Sequence, residues 1–304
     1  MNPDDVALTS LDSLLFDGAD ATKGDLVAYL DAVADRLVAQ LRDRPLSVMR
    51  VRPGQKPFMQ KNLPKGAPDW IERVAIWAET SKREVHYALC NDRDTLRWFA
   101  NQRAVEYHPS LYPQRHLVLD LDPPAEADFS AVARTALLVR EALASAGLSG
   151  AIKTSGSKGV HIFVPVTASG EDVAHATRAL AKRAAALDPS IATIAYVVEE
   201  REGKVFVDST RAGGGTVVAA YSPRIRPGVP VSFPIAWDDV ERISPADFTI
   251  RTAPDLLGDA DPWLDAMPSP QVLPDDLVEE GRSIPIARVA AMHEGKRRKR
   301  AAEI

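Results

Sequence analysis

The chain has 304 residues, enough for one large domain or two closely packed ones with a sizeable core. It is 45% hydrophobic and 26% charged, without an apolar run near the ~20 residues of a membrane span or the layout of a signal peptide, and its single cysteine, Cys90, excludes an internal disulfide framework and a cysteine-based zinc site. The net charge of −5 does not announce a nucleic-acid binder, yet basic residues cluster in RPLSVMRVRPGQKPFMQKNLPK, SPRIRP and the tail EGKRRKR, and phosphate contacts depend on such local clusters.

Residues 22–41 read as one amphipathic helix: Leu26, Leu30, Val33, Leu37 and Leu41 recur at spacings of three and four, and Thr22 is a suitable N-cap. Residues 47–52 and 84–89 read as strands, and 94–104 as a short helix with Leu96, Phe99 and Ala100 facing inward. A strand at 116–121 leads to a helix at 129–146 that ends at Gly147. A strand at 160–166 and an Ala-rich helix at 171–187 follow. Strands at 204–207 and 216–221 enclose DSTRAGGG, whose glycines read as a hairpin turn. Beyond residue 223 prolines are frequent and elements short; residues 293–304 read as a frayed basic tail after a single domain at 1–292. Helices that interrupt strands, with a late antiparallel hairpin, predict a mixed α/β (α+β) fold rather than a regular parallel sheet. A reducing, cytoplasmic location is expected.

Four stretches carry candidate chemistry. In RHLVLDLDPP, Asp120 and Asp122 fall on the same strand face, roughly 6–7 Å apart. They are either turn aspartates at a strand end or ligands of divalent ions, which relieve the repulsion of paired carboxylates. In TSGSKGVHIFVPV, Gly156 and Gly159 allow tight turns, and Ser155, Ser157 and Lys158 suit a phosphate chain, although the spacing is not that of a P-loop. His161 projects from the strand face opposite Val160, Ile162, Val164 and Val166, towards whatever the loop binds; the plainer reading is a surface turn with an exposed histidine. In VFVDSTR, Asp208 ends an apolar strand and Arg211 follows; the aspartate is a turn residue or a third metal carboxylate. In AYSPRIRPG, Arg224 and Arg226 share a face, which suits a multi-oxygen anion or marks a solvated edge strand. Together these are the parts of two-metal nucleotidyl transfer.

LDLDPP, SGSKGVH and VFVDSTR…TVVAAYSPRIRPG resemble the three motifs of the archaeo-eukaryotic primase superfamily, and more narrowly the bacterial LigD-type polymerase domains of non-homologous end joining. YSPRIRPGVPVSFPIAWDDV, PFMQKNLPKGAPDWI and ANQRAVEYHP add to the resemblance, which covers roughly residues 10–265. What remains is too short for a ligase or nuclease domain, so the chain is similar to free-standing members of the actinobacterial Prim-PolC type. The resemblance implies a primase-polymerase catalytic domain. It implies that Asp120, Asp122 and Asp208 hold two Mn²⁺ or Mg²⁺ ions. Ser155, Lys158 and His161 would contact the triphosphate and sugar, Arg224 and Arg226 the triphosphate, with His108 and Arg211 nearby. It implies NTP or dNTP substrates with ribonucleotides favoured, gapped or primer–template DNA, a separate ligase and Ku as partners, and a monomer. Of two lysines that recognise a downstream 5′-phosphate in some members, Lys23 matches one and Ser13 replaces the other. Of two aromatics before the lysine that matches Lys61, Phe58 remains and Met59 replaces the second ring, which weakens stacking on template DNA. These departures cast doubt on end bridging and favour short-gap repair; strand initiation without a primer and a catalytically inactive DNA-binding scaffold for a ligase are the alternatives.

Overall fold

The computed structural model describes residues 6–79, 82–168, 170–213 and 215–286; the basic tail expected at 293–304 lies outside the described residues. Elements follow in the order α1 (Lys23–Ala32), α2 (Ala34–Leu41), β1 (Leu46–Arg52), β2 (Gln55–Gln60), β3 (Arg73–Ala78), β4 (Arg83–Ala88), α3 (Arg93–Asn101), β5 (Ala104–Pro109) and β6 (His116–Asp122). Then come α4 (Phe129–Ser145), β7 (Ala151–Thr154), β8 (Val160–Pro165), α5 (Glu171–Leu187), β9 (Ala192–Thr193), β10 (Val205–Asp208), β11 (Pro234–Ile235), α6 (Ala253–Leu257), α7 (Pro262–Ala266) and α8 (Asp275–Ser283). No helix among the described residues is long and apolar enough to cross a membrane.

Two sheets organise the chain, as expected of a mixed α/β fold. In the first, β2, β1, β4 and β3 run in that order and β5 also pairs with β1. The second has the order β11-β7-β8-β6-β10-β9 and is antiparallel except where β9 joins β10. Helices α4 and α5 cover one face of it: Leu117, Leu119 and Leu121 of β6 and Val160, Ile162 and Val164 of β8 are fully buried, as are Val132, Ala136 and Val139 of α4. The main apolar core runs on from there into the first sheet and α1–α3, with a small second cluster at Leu111, Val118 and Val217. The alternation read from HIFVPV therefore holds, and the opposite face of β6, β8 and β10 is free to carry polar groups.

Three elements differ from expectation. The helix at 22–41 is broken at Val33, whose N–H is shared by the carbonyls of Tyr29 and Asp31; the Thr22 cap is present, with Asp25 closing a capping box. The helix beginning near 94 ends at Asn101, and 104–109 is a strand. Among the described residues no hairpin forms around DSTRAGGG: Thr210–Gly213 is a 3₁₀ turn, and Val217–Ala220 is buried without joining a ladder. Tyr221, at φ +69°, turns the chain so that its N–H meets the Ser232 carbonyl.

Candidate active site

Strand register creates the centre of the site. Lys153 of β7, His161 of β8, Asp120 of β6 and Asp208 of β10 are direct cross-strand partners in sequence, so they form one transverse row on the face away from α4 and α5. Within the row, Lys153 Nζ lies 2.7 Å from His161 Nδ1, and His161 Nε2 lies 3.3 Å from Asp120 Oδ1. Arg211, on the turn after β10, sets its Nε 3.3 Å from Asp120 Oδ2 and 3.7 Å from Asp208 Oδ2. Asp122 shares the face two residues on but pairs with Arg201 at 3.0 Å, the guanidinium of which also packs over the Phe206 ring.

These neighbours set the charges. Burial opposes ionisation of Asp120, but His161, Arg211 and Lys153 outweigh it and hold the carboxyl down at about 2. Burial pushes Asp208 above the ordinary carboxylate value, with the nearby Asp120 charge adding to the rise and Thr210 and Arg211 resisting it. Burial, and then Lys153, push His161 down to about 4. Burial, and then Arg224, also lower Lys153 well below the usual lysine range. Asp120 and Asp208 thus form a like-charged pair that favours an added cation.

The wall beside the row is built for anions. Ser155 Oγ accepts the N–H groups of Ser157 and Gly159, each at 3.2 Å, which shapes the loop between β7 and β8. Gly156 has φ +67°, and a Cβ there would lie 2.8 Å from the Ser232 nitrogen and 2.6 Å from Arg224 Cγ. Glycine therefore lets this loop close against the Arg224 segment. Arg224 donates to the Ser155 carbonyl and lies 3.2 Å from Glu106. Glu106 also accepts the Ile225 N–H at 2.9 Å and faces His108 Nε2 at 2.9 Å. Burial resists ionisation of Glu106, but His108, Arg224 and Ile225 hold it down at about 2. Lys158 is exposed at the rim, where its ammonium donates to the Ala125 carbonyl.

All seven residues expected to bind nucleotide, His108, Ser155, Lys158, His161, Arg211, Arg224 and Arg226, line one cleft of about 680 Å³, together with Asp120, Asp122 and Met59. His161 faces the cleft as its alternation implied, but it is only 5% exposed rather than a surface histidine. Arg224 and Arg226 lie on a turn, not on a strand face, and still face the same space.

The three expected DNA contacts lie elsewhere. Phe58 is on β2 with Arg50 and Arg52 packed over its ring at 5.7 and 4.7 Å, while its neighbour Met59 lines the cleft. Successive strand residues face opposite ways, so the retained aromatic is on the side away from the cleft. Lys61 is exposed just beyond β2. Lys23 is 2% exposed and donates to Asn101 Oδ1 at 2.6 Å and to the Thr9 carbonyl at 2.5 Å. The cation missing at position 13 has a neighbour instead: Arg103 donates to Ser13 Oγ at 2.5 Å and to the carbonyls of Leu14 and Leu15.

Lys153, Glu106, Arg201 and Arg103 were not singled out from sequence. A lysine in AIKT and a glutamate in AVEYHP are charges inside short apolar strands, a signal that only burial makes legible.

Among the described residues no three His, Cys, Asp or Glu side chains converge as a ready-made metal site. The donors nevertheless fit a hard divalent cation: carboxylates on one face, with the Arg211 guanidinium standing between Asp120 and Asp208 as the positive charge.

Known proteins resemble this chain over most of its length. The family described as LigD, primase-polymerase domain, matches residues 22–263. The bifunctional non-homologous end joining protein LigD of Bacillus subtilis is 30% identical over 261 residues, covering 82% of this chain and 42% of that protein. The multifunctional non-homologous end joining DNA repair protein LigD of Mycobacterium tuberculosis is 30% identical over 255 residues, 78% of this chain and 33% of the relative. The chain therefore spans well under half the length of these relatives. The solved polymerase domain of Mycobacterium tuberculosis ligase D, in complex with DNA, superposes with a TM-score of 0.78 at 28% identity, covering 86% of this chain and 99% of that one. The chain belongs to the LigD primase-polymerase domain family, whose members are DNA-directed nucleotidyltransferases.

Proposed function

We propose that this chain is a template-dependent polymerase that adds nucleotides, ribonucleotides in preference, to a primer 3′-hydroxyl, and so fills short gaps or extends ends during DNA repair. Its working substrate is gapped or primer–template DNA, and a separate ligase and Ku complete the repair. The observation that carries this reading is a single cleft with carboxylates on its floor and Ser155, Lys158, Arg224 and Arg226 on its wall.

Each group has a role in that reading. Asp120, Asp122 and Asp208 would hold two Mn²⁺ or Mg²⁺ ions, which when bound acidify the primer hydroxyl and neutralise triphosphate charge. Arg224, kept in place by Glu106, binds triphosphate oxygens through donors that Glu106 does not take, and Arg226 and Lys158 add charge at the rim. The loop N–H groups around Gly156 orient the phosphate chain. Arg211, which stands beside Asp120 and Asp208, would be free to turn its charge to the nucleotide where ions held those carboxylates. Arg103, next to Ser13 and above the buried Lys23, supplies the cation for a downstream 5′-phosphate in place of the lysine pair.

The test is primer extension across one- to three-nucleotide gaps, with NTPs against dNTPs, Mn²⁺ against Mg²⁺, and a downstream 5′-phosphate against a 5′-hydroxyl. Filling is expected, and Asp120→Ala should lower it on the order of 10³-fold while DNA binding persists. Arg103→Ala should narrow the preference for the 5′-phosphate. Incorporation by wild type on template with no primer would point to strand initiation, and none with either metal would leave a DNA-binding scaffold.

A further inference from the structure

We propose that Lys153 is a positioning residue: anchored by Ser232, its side-chain nitrogen fixes His161 as the Nε2–H tautomer and so presents an N–H donor to the cleft. Lys153 and Ser232 are both fully buried, and neither is a candidate metal ligand. Lys153 Nζ lies 2.6 Å from Ser232 Oγ and 2.7 Å from His161 Nδ1.

The direction of each hydrogen bond follows from what its partner can do. The Ser232 hydroxyl donates to the Thr154 carbonyl at 2.7 Å, and a carbonyl can only accept. Ser232 Oγ therefore receives its second bond from Lys153. Of an amine and an imidazole 2.7 Å apart, the amine is much the stronger base, so the hydrogen between them stays on Lys153, which has a further N–H for Ser232. At the far end, Asp120 lies 3.3 Å from His161 Nε2, and an ionised carboxylate only accepts, so Nε2 carries the hydrogen. A neutral imidazole has one N–H, which leaves Nδ1 bare for Lys153. Read from either end, the chain of bonds selects the same tautomer, since the partner of one ring nitrogen decides which nitrogen is protonated.

The anchor is held firmly. Phe233 donates its N–H to Thr154 Oγ1, Thr154 donates its N–H to the Phe233 carbonyl, and Ser232 bonds Ser222 through its backbone nitrogen. Burying a lysine is costly, and a methionine would fill the same space more cheaply. What the lysine adds here is a donor to one histidine. The identity of the group that Nε2–H meets besides Asp120, a nucleotide oxygen, rests on the polymerase reading; the tautomer does not.

The test uses the full chain with ¹⁵N-labelled histidine and no metal. Long-range ¹H–¹⁵N spectra should show wild-type His161 protonated at Nε2 and bare at Nδ1. Lys153→Met, which leaves Asp120 alone to select the tautomer, should raise the Nδ1–H fraction and weaken ATP binding roughly 10–100-fold, the scale on which losing a group that orients a liganding histidine acts. Lys153→Arg, which keeps a donor, should recover part of both, and Ser232→Ala should fall between. A wild-type Nδ1–H signal overturns the proposal even if every variant fails to fold. So does a folded Lys153→Met that keeps the Nε2–H form and binds ATP within twofold of wild type. A wild-type protein with the expected tautomer and no incorporation on gapped DNA would overturn the polymerase reading alone.

Discussion

In the first sheet, β2 and β3 leave Lys56, Met59, Ile76 and Trp77 in solvent; in the second, β7 and β10 have no exposed residue at all. Charges follow the same division. Lys82 and Glu79, beyond β3, pair with both side chains more than 70% exposed. Lys153, Asp208 and His161 are buried in the second sheet, where an unpaired polar group costs several kcal/mol. Water screens the first kind of charge almost completely, so its partner matters little. The second kind requires partners, and the row across β7, β8, β6 and β10 with Arg211 supplies them. Chemistry is concentrated where the fold can hold charges in fixed positions, and the outer strands stay free to vary.

Three changes would break or sharpen this contrast. The largest effect is expected at Gly159, where a Cβ would lie 2.1 Å from the Leu121 carbonyl, on the backbone between Asp120 and Asp122. Gly159→Ala should cost about 3 kcal/mol in denaturant unfolding and, in the surviving folded fraction, impair metal binding as β6 is displaced. Wild-type stability in that variant would mean that the second sheet yields as easily as the first.

Next is Glu106, whose folded-state value of about 2 lies below its ordinary 4.5. A lowered carboxyl stabilises fully above its unfolded value and loses that contribution as pH falls from 4.5 towards 2. The contribution is roughly 3 kcal/mol. Glu106→Gln should remove it, so that urea unfolding at pH 6 shows a clear loss and at pH 3 much less. A pH-independent difference would show that the ion pairs contribute nothing. The smallest effect is expected for Lys82→Ala, below about 0.5 kcal/mol; a change above 1 kcal/mol would contradict the idea that the outer strands tolerate charge loss.

Much of the site was readable before the fold. Asp120, Asp122 and Asp208 end apolar strands, and period-two alternation already turned His161 away from the Val160–Val164 stripe. What remained hidden has physical causes. The Val217–Ala220 run reads as a strand because apolarity reports burial, not hydrogen bonding; in the fold it is buried yet outside any ladder. The apolar stripe of α1 continues into α2, so no pattern marks the break at Val33. Lys153 and Glu106 are invisible to rules that place charges outside, because each is completed by a partner far along the chain, Ser232 for Lys153 and Ile225 for Glu106. Phe58 matches a template-stacking aromatic, but sequence does not say which face of β2 meets the cleft; Met59 lines it.

The transverse row also constrains how the chain can change in length. Its members meet only because each strand sits in one register against the next, and side chains alternate with a period of two. One residue gained or lost inside β6, β8 or β10 would rotate a member of the row to the α4–α5 face and carry an apolar neighbour into the cleft. The same gain in the Val198–Lys204 turn ahead of β10, whose residues are not fully buried, would be absorbed before the strand begins. Insertions and deletions among related chains should therefore fall in turns such as this one and spare the interiors of those three strands.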